Sequence, residues 1–207
     1  MTVYIRADGS IEPSRARIST SDKINYVLTG NVDDEIVVER SNIVIDGADH
    51  VVRGRDKDVG IELKKVGNVK LTNLVLKGFR IGIYLNEASD SIITGNAIAD
   101  DGRIHGDFFY YGILLNSSFN NTISENRIKG DRWEEGVRLC SSSKNSIIGN
   151  AIEGNEDGII LEDSSYNRIS VNTVVDNAHG IVLKKSSNNI IERNAIHYRA
   201  KRHRGKW

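Results

Sequence analysis

The chain of 207 residues is poor in cysteine and proline, with one of each, Cys140 and Pro13. A single cysteine excludes an intramolecular disulfide and a zinc site built from cysteines alone. A single proline excludes a proline-rich or collagen-like chain. Because a chain of this length buries about 70% of the surface of its unfolded form, its core needs neither a disulfide nor a metal.

Long apolar runs and an excess of one charge are also absent. No stretch of 18 apolar residues occurs, so the sequence predicts no membrane-spanning segment. The N-terminus lacks the apolar segment of a signal peptide, which leaves open a cytoplasmic protein or one that begins after a removed signal. The 28 basic residues balance the 28 acidic ones, and zero net charge argues against a nucleic-acid binder.

The sequence does contain a repeat. The tetrapeptide Gly-Ile-x-Leu, once with Val for Ile, recurs six times and is followed in most units by Ser and two Asn-x-Ile or Asn-x-Val steps. The six glycines are Gly60, Gly82, Gly112, Gly136, Gly158 and Gly180. Three of the five intervals are 22 residues, and the other two, 30 and 24, indicate insertions after Ile98 and Ile128. Periods of this length are typical of repeat architectures.

Apolar residues alternate within each unit, which indicates strands rather than helices. In the unit that starts at Gly158 they are Ile159 and Leu161, then Ile169, then Val174. Isoleucine and valine dominate, and β-branched residues favour strands. Since three short strands cannot bury their apolar faces alone, units of roughly 22 residues must stack on one another. The repeat therefore predicts an all-β parallel solenoid with three short strands per coil.

Polar residues recur as regularly as the apolar ones. Asparagine occupies the same two positions in successive units, for example Asn145 and Asn150, then Asn167 and Asn172. Stacked coils place equivalent residues about 4.8 Å apart, so their amides can pair from coil to coil. We interpret these columns as turn ladders, not as functional residues.

The repeat divides the chain into three parts. Residues 1–30 precede it and are predicted to cap the N-terminal end, residues 31–198 form the β-helix domain, and residues 199–207 form a basic tail. No apolar pattern follows Ile196, so the last coil is predicted to be open. Contact between copies through this open C-terminal coil, giving a homo-oligomer, is one prediction.

The stretches Tyr26-Val-Leu-Thr-Gly and Ile43-Val-Ile-Asp-Gly, followed by the repeated Gly-Ile-x-Leu and Asn-x-Ile, resemble the right-handed parallel β-helix repeat family. More narrowly, they resemble NosD-like periplasmic proteins and the carbohydrate-binding and sugar-hydrolase β-helix domains. The resemblance covers residues 26–197 and implies a pectate-lyase-like, single-stranded right-handed solenoid. It also implies an extracellular, periplasmic or cell-surface location. Members include lyases, hydrolases, epimerases, binding modules and copper-enzyme maturation proteins, so no reaction is implied.

The insertions are where we expect a ligand, because functional residues on solenoids lie on inserted loops and outward columns. Both insertions precede a Gly-Ile-x-Leu strand and therefore emerge at one corner. The residues before the glycines stack there, and the next outward column contains Tyr84, Leu114, Arg138, Ile160 and Val182. The predicted ligand-binding residues at this corner are Asp107, Tyr110, Tyr111, Trp133, Glu135, Arg138, Asp157 and His179. Aromatic faces beside carboxylates suit sugars, so the predicted ligand is a polysaccharide or glycan.

A catalytic role is the first alternative. Glycoside hydrolysis needs two carboxyl groups, about 5–5.5 Å apart for retention or about 6.5–9.5 Å apart for inversion. Glu135 and Asp157 on adjacent coils fall near the first range, and Glu135 with a residue two coils further on would fall near the second. The family comparison favours a non-catalytic protein, however. The Asn-Thr-Asp motif of polygalacturonases and the Asp-Pro-His-Glu motif of alginate epimerases are absent, and Arg127-Ile128-Lys129 precedes His179-Gly180, the reverse of the polygalacturonase order. A lyase or hydrolase therefore remains an alternative to a binding or structural solenoid.

Copper-enzyme maturation, as in NosD-like proteins, is the second alternative. Copper favours His, Cys and Met ligands, but none of the five histidines shares a ligand spacing with Cys140 or Met1. The sequence thus predicts no metal site and no cofactor, with calcium between the corner carboxylates as the one exception left open.

Overall fold

The computed structural model describes residues 1–99, 110–130 and 134–198, with only the backbone described for residues 55–58 and 134. Two predicted site residues, Asp107 and Trp133, and the basic tail 199–207 lie outside the described residues. Within the described parts of the chain there is no helix long and apolar enough to cross a membrane.

The described elements are strands, most of them short. The first nine are β1 Val3–Ile5, β2 Ile11–Glu12, β3 Ile18–Ser19, β4 Asn25–Leu28, β5 Ile36–Val38, β6 Ile43–Asp46, β7 Val51–Lys64, β8 Val69–Thr72 and β9 Val75–Asn86. The next seven are β10 Ile92–Thr94, β11 Ala97–Ala99, β12 Tyr110–Asn116, β13 Thr122–Ser124, β14 Arg127–Lys129, β15 Glu134–Cys140 and β16 Ser146–Ile148. The last seven are β17 Ala151–Glu153, β18 Asp157–Glu162, β19 Arg168–Ser170, β20 Thr173–Asn177, β21 His179–Lys184, β22 Ile190–Glu192 and β23 Ala195–Tyr198.

Each coil supplies one strand to each of three parallel sheets. Sheet 1 contains the Gly-Ile-x-Leu strands, which are the ends of β7 and β9 with β12, β15, β18 and β21. Sheet 2 contains β4, β6, β8, β10, β13, β16, β19 and β22, with β3 antiparallel at its edge. Sheet 3 contains the starts of β7 and β9 with β11, β14, β17, β20 and β23, because β7 and β9 run around the corner from sheet 3 to sheet 1. The protein is thus a single-stranded right-handed parallel β-helix, which confirms the predicted fold.

The core lies inside the coils and is built from the predicted alternating residues. In one coil Ile159, Leu161, Ile169 and Val174 are all completely buried, and each pairs with its counterpart one repeat away. Stacking of equivalent isoleucines, valines and leucines makes one continuous apolar cluster through the solenoid.

The repeated glycine is explained by a close approach at the corner between sheets 3 and 1. A Cβ atom added to Gly136 would lie 2.5 Å from Ile152 Cγ2 and 2.5 Å from the carbonyl oxygen of Gly158. Both the glycine and the following apolar residue therefore face the interior, so strand alternation is interrupted here. As a result, the residue before each glycine points outward.

The asparagine columns are buried ladders, as predicted. Asn150 is 1% exposed, and its side-chain oxygen accepts hydrogen bonds from the backbone N and the Nδ2 of Asn126, both at 3.0 Å. Its own Nδ2 donates to the carbonyl oxygen of Ile123 at 2.8 Å and to Asn172 Oδ1 at 3.0 Å. The same pattern repeats along the solenoid, so these amides satisfy the buried backbone hydrogen-bonding groups at the turns.

The two ends of the solenoid differ. At the N-terminal end β2 and β3 are edge strands that pair antiparallel with β1 and β4. At the other end the inward residues Leu183 and Ile191 are 41% and 43% exposed, whereas their counterparts one coil earlier are completely buried. The limits of the predicted cap and contact between copies at this end stay predictions.

Candidate functional site

The strand register aligns the residues of the predicted corner column. Tyr111 pairs with Glu135, Glu135 with Asp157, and Asp157 with His179 in successive strands of sheet 1. These four side chains lie on consecutive coils because each directly precedes the corner glycine of its own coil. Their role as ligand-binding residues stays a prediction.

Arg138 connects the column to the rest of sheet 1. Its Nη1 atom donates to both carboxylate oxygens of Glu135, at 2.7 and 2.9 Å, and its Nη2 atom forms an ion pair with Glu162. The Nε atom donates to Cys140 Sγ at 3.1 Å, and the guanidinium carbon lies 5.8 Å from the centroid of the Tyr111 ring. One half-buried guanidinium therefore organises four neighbouring side chains.

Glu135 is the most buried acidic side chain of the site, with 8% of its surface exposed. Burial raises the pKa of Glu135, and the hydrogen bonds and positive charge of Arg138 act in the opposite direction. The negative charge of Asp157 in the next coil raises the pKa of Glu135 further. The carboxyl group thus depends on Arg138 for its ionised form.

Asp157 has a separate partner. His179 Nδ1 lies 2.9 Å from Asp157 Oδ1, and the histidine is exposed while the carboxylate is mostly covered. Each of the two stacked carboxylates therefore has its own hydrogen-bonding partner, Arg138 for Glu135 and His179 for Asp157. Catalysis by Glu135 and Asp157, and calcium between them, stay predictions.

A polar surface extends from the column across sheet 1. Tyr84 is half-buried, and Asn116 Nδ2 lies 3.5 Å from its hydroxyl oxygen. On the next outward position Asn86 Nδ2 donates to Glu62 Oε1 at 3.0 Å. Burial raises the pKa of Tyr84 and of Tyr111, so both hydroxyl groups remain protonated and able to donate hydrogen bonds.

The sequence did not identify one residue of this surface, and two residues predicted to lie on it are buried. Glu162, the second carboxylate on Arg138, was missed, although it lies two residues after an outward position and alternation places it on the same face. Ile160 occupies the predicted outward column between Arg138 and Val182 but is completely buried. The predicted site residue Tyr110 is also buried, at 8% exposure.

Arg138→Met is expected to destabilise the protein by about 2 kcal/mol at pH 7, because it leaves a buried carboxylate without its partner. A carboxyl group whose pKa is raised by folding contributes stability at low pH that is lost as the pH rises. Removing the guanidinium raises the pKa of Glu135 further, so the loss should shrink on acidification below that pKa. Urea unfolding of wild type and variant at pH 7 and at pH 4 to 5 measures this.

The matched control is the double variant Glu135→Gln/Arg138→Met, which removes the carboxylate together with its partner. It should recover most of the stability at pH 7 and show no such dependence on pH. An equal loss for Arg138→Met at both pH values would mean that the guanidinium acts by packing alone.

Metal ligands do not converge among the described residues. No group of three or more His, Cys, Asp or Glu side chains there is arranged to hold a metal ion. The two soft donors of sheet 1, Cys140 and His179, are each engaged by another side chain and lie in different columns. The described side chains therefore do not bring together the several His, Cys or Met ligands that copper favours.

Comparisons with known proteins agree with this fold. A point mutant of the periplasmic alginate epimerase AlgG superposes with a TM-score of 0.64 at 16% identity, over 80% of this chain and 49% of that one. Tailspike protein 2 of the Escherichia coli O157:H7 bacteriophage CAB120 superposes with a TM-score of 0.54 at 15% identity, over 85% of this chain and 24% of that one. The chain thus spans half or less of the length of these structures.

Sequence comparison identifies the family. A search of curated protein sequences found no match to this chain. The family model described as "Periplasmic copper-binding protein (NosD)" matches residues 34–205, which contain nearly the whole solenoid. This chain therefore belongs to the NosD family of parallel β-helix proteins.

Proposed function

We propose that this protein is an extracytoplasmic binding protein that holds a polysaccharide against the outer surface of sheet 1. The observation that carries the proposal is the group of aromatic and hydrogen-bonding side chains on that sheet, in which Leu114 separates Tyr84 from Arg138. Tyr84, Tyr111 and Arg138 expose part of their surface there, with amide and carboxylate groups between them. The description of the family as periplasmic supports the extracytoplasmic location.

The chemistry of the group suits a sugar chain. Sugars offer C–H faces that pack on aromatic rings and hydroxyl groups that pair with amides and carboxylates. Outward positions of sheet 1 repeat at about 4.8 Å between coils, so a linear ligand can contact several coils in turn. The periplasmic alginate epimerase, whose name specifies a polysaccharide, shares the fold and is consistent with such a ligand.

Polysaccharide affinity should fall about fivefold in Tyr84→Ala, because an aromatic contact of this kind contributes about 1 kcal/mol. The measurement is electrophoretic retardation of the folded protein in native gels containing dextran, xylan, polygalacturonate or alginate. Tyr166→Ala is the matched control, since Tyr166 is a tyrosine on a turn between sheets 1 and 2 with 63% exposure.

Equal retardation of both variants and wild type would show that sheet 1 is not the binding surface. Absence of retardation of the wild type by every polysaccharide would contradict the proposed function itself.

A further inference from the structure

The last coil of the solenoid presents three open sheet edges. Among the described residues, β21, β22 and β23 each pair only with the strand of the preceding coil, which is β18, β19 or β20. The backbone N–H and C=O groups on their other side have no partner in a described strand. Open edges of this kind pair with a strand of another chain when its side chains fit.

The apolar residues inside this coil are only partly covered. Leu183 and Ile191 are 41% and 43% exposed, and Ile181 and Ile196 are half-buried. Their counterparts one coil earlier are completely buried, because the last coil lies on them. What would bury the last coil in the same way is one more layer of strands with apolar inward residues.

We infer that a second copy of this chain supplies that layer, so that two copies meet through their last coils in a two-fold dimer. The last coil of the other copy offers the three open strands and the apolar inward residues that are needed. The opposite end of the solenoid is less suitable, because sheets 1 and 2 end there in the two-residue antiparallel strands β2 and β3. A two-fold contact uses the same surface on both copies and pairs their strands antiparallel.

The rise of the solenoid determines where the two-fold axis passes. The open edge climbs from β21 through β22 to β23, within one coil spacing of about 4.8 Å. Turning the second copy over reverses the direction of this climb. The two edges therefore keep a constant separation only when the axis passes through β22, the middle strand.

This axis pairs β22 with β22 of the other copy and places β21 of each copy over β23 of the other. Residues opposite each other in an antiparallel pair point to the same face, so the inward residue Ile191 lies opposite the same residue of the other copy. Leu183 of each copy then faces the end of the other coil that contains Ile196. The contact buries the exposed inward residues and is independent of the proposed binding of polysaccharide.

The test is the molar mass as a function of protein concentration, measured by sedimentation for the wild type, Ile191→Lys and the control Ile92→Lys. Ile92 has the same exposed fraction, 43%, but points outward from sheet 2 between β8 and β13. We expect a monomer–dimer equilibrium whose dissociation constant rises about 100-fold in Ile191→Lys, because two ammonium groups would be buried together at the axis. The control should dimerise like the wild type.

Mixing Ile191→Lys with Ile191→Glu tests the position of the axis. Each variant alone should be a monomer, because like charges meet, whereas the mixture should form a dimer, because opposite charges meet. Failure of the mixture to dimerise would show that Ile191 does not lie on the axis.

Four further outcomes would overturn the inference. A wild type that is monomeric at every concentration would exclude the dimer, and trimers and larger assemblies would indicate head-to-tail stacking. Equal weakening by Ile191→Lys and Ile92→Lys would place the contact elsewhere. A monomeric wild type that is destabilised by Ile191→Lys but not by Ile92→Lys would mean that residues 199–207 cover the last coil instead.

Discussion

Ile159→Asp is expected to unfold the middle coils of the solenoid. Ile159 is completely buried in sheet 1 and stacks between Val137 and Ile181. A carboxylate at this position has no partner and no water, and the isoleucine contacts are lost as well. We expect a loss of about 4 kcal/mol or more, measured as the midpoint of thermal or urea unfolding followed by circular dichroism.

The matched control is Ile92→Asp, the same change on an outward position. Ile92 is 43% exposed and pairs with Lys70 and Thr122 on sheet 2. Its substitution should change stability by less than about 1 kcal/mol. If the two variants unfolded alike, the inward and outward faces of the strands would be exchanged, because a register shift of one residue reverses them.

Asn150→Ala is expected to cost about 3 kcal/mol, the second-largest effect. The substitution removes the acceptor of two hydrogen bonds from Asn126 and the donor to the carbonyl oxygen of Ile123. All three groups are buried between coils, and a buried polar group without a partner costs about 1–3 kcal/mol. Urea unfolding at pH 7 measures the loss, and hydrogen exchange should locate it at the neighbouring turns.

Asn188→Gly is the control for Asn150→Ala, because it replaces an asparagine outside the ladder. Asn188 is exposed with φ 55°, a conformation that glycine adopts without strain. Its side chain makes no hydrogen bond among the described residues. A loss in this variant similar to that of Asn150→Ala would mean that the ladder is not the source of the stability.

The predictions for Ile159 and Asn150 concern positions that the repeat in the sequence identifies. Because every coil repeats the same geometry, the positions of Ile159 and Asn150 in one unit are confirmed by equivalent residues in the others. The alignment of glycines placed Tyr111, Glu135, Asp157 and His179 in one column for the same reason. Local alternation and a 22-residue period, interrupted by two insertions, therefore determine fold, core and columns.

The repeat did not determine which outward side chains meet or which are covered. Arg138 spans from Glu135 to Glu162 across the sheet, and Ile160 is buried on a face predicted to be exposed. These contacts depend on side chains long enough to reach from one column to the next. The lengths of the outward side chains do not follow the repeat. Sequence alone thus determined the solenoid and its residue columns, while the tertiary structure decided the contacts between columns, because those contacts follow side-chain length and corner geometry.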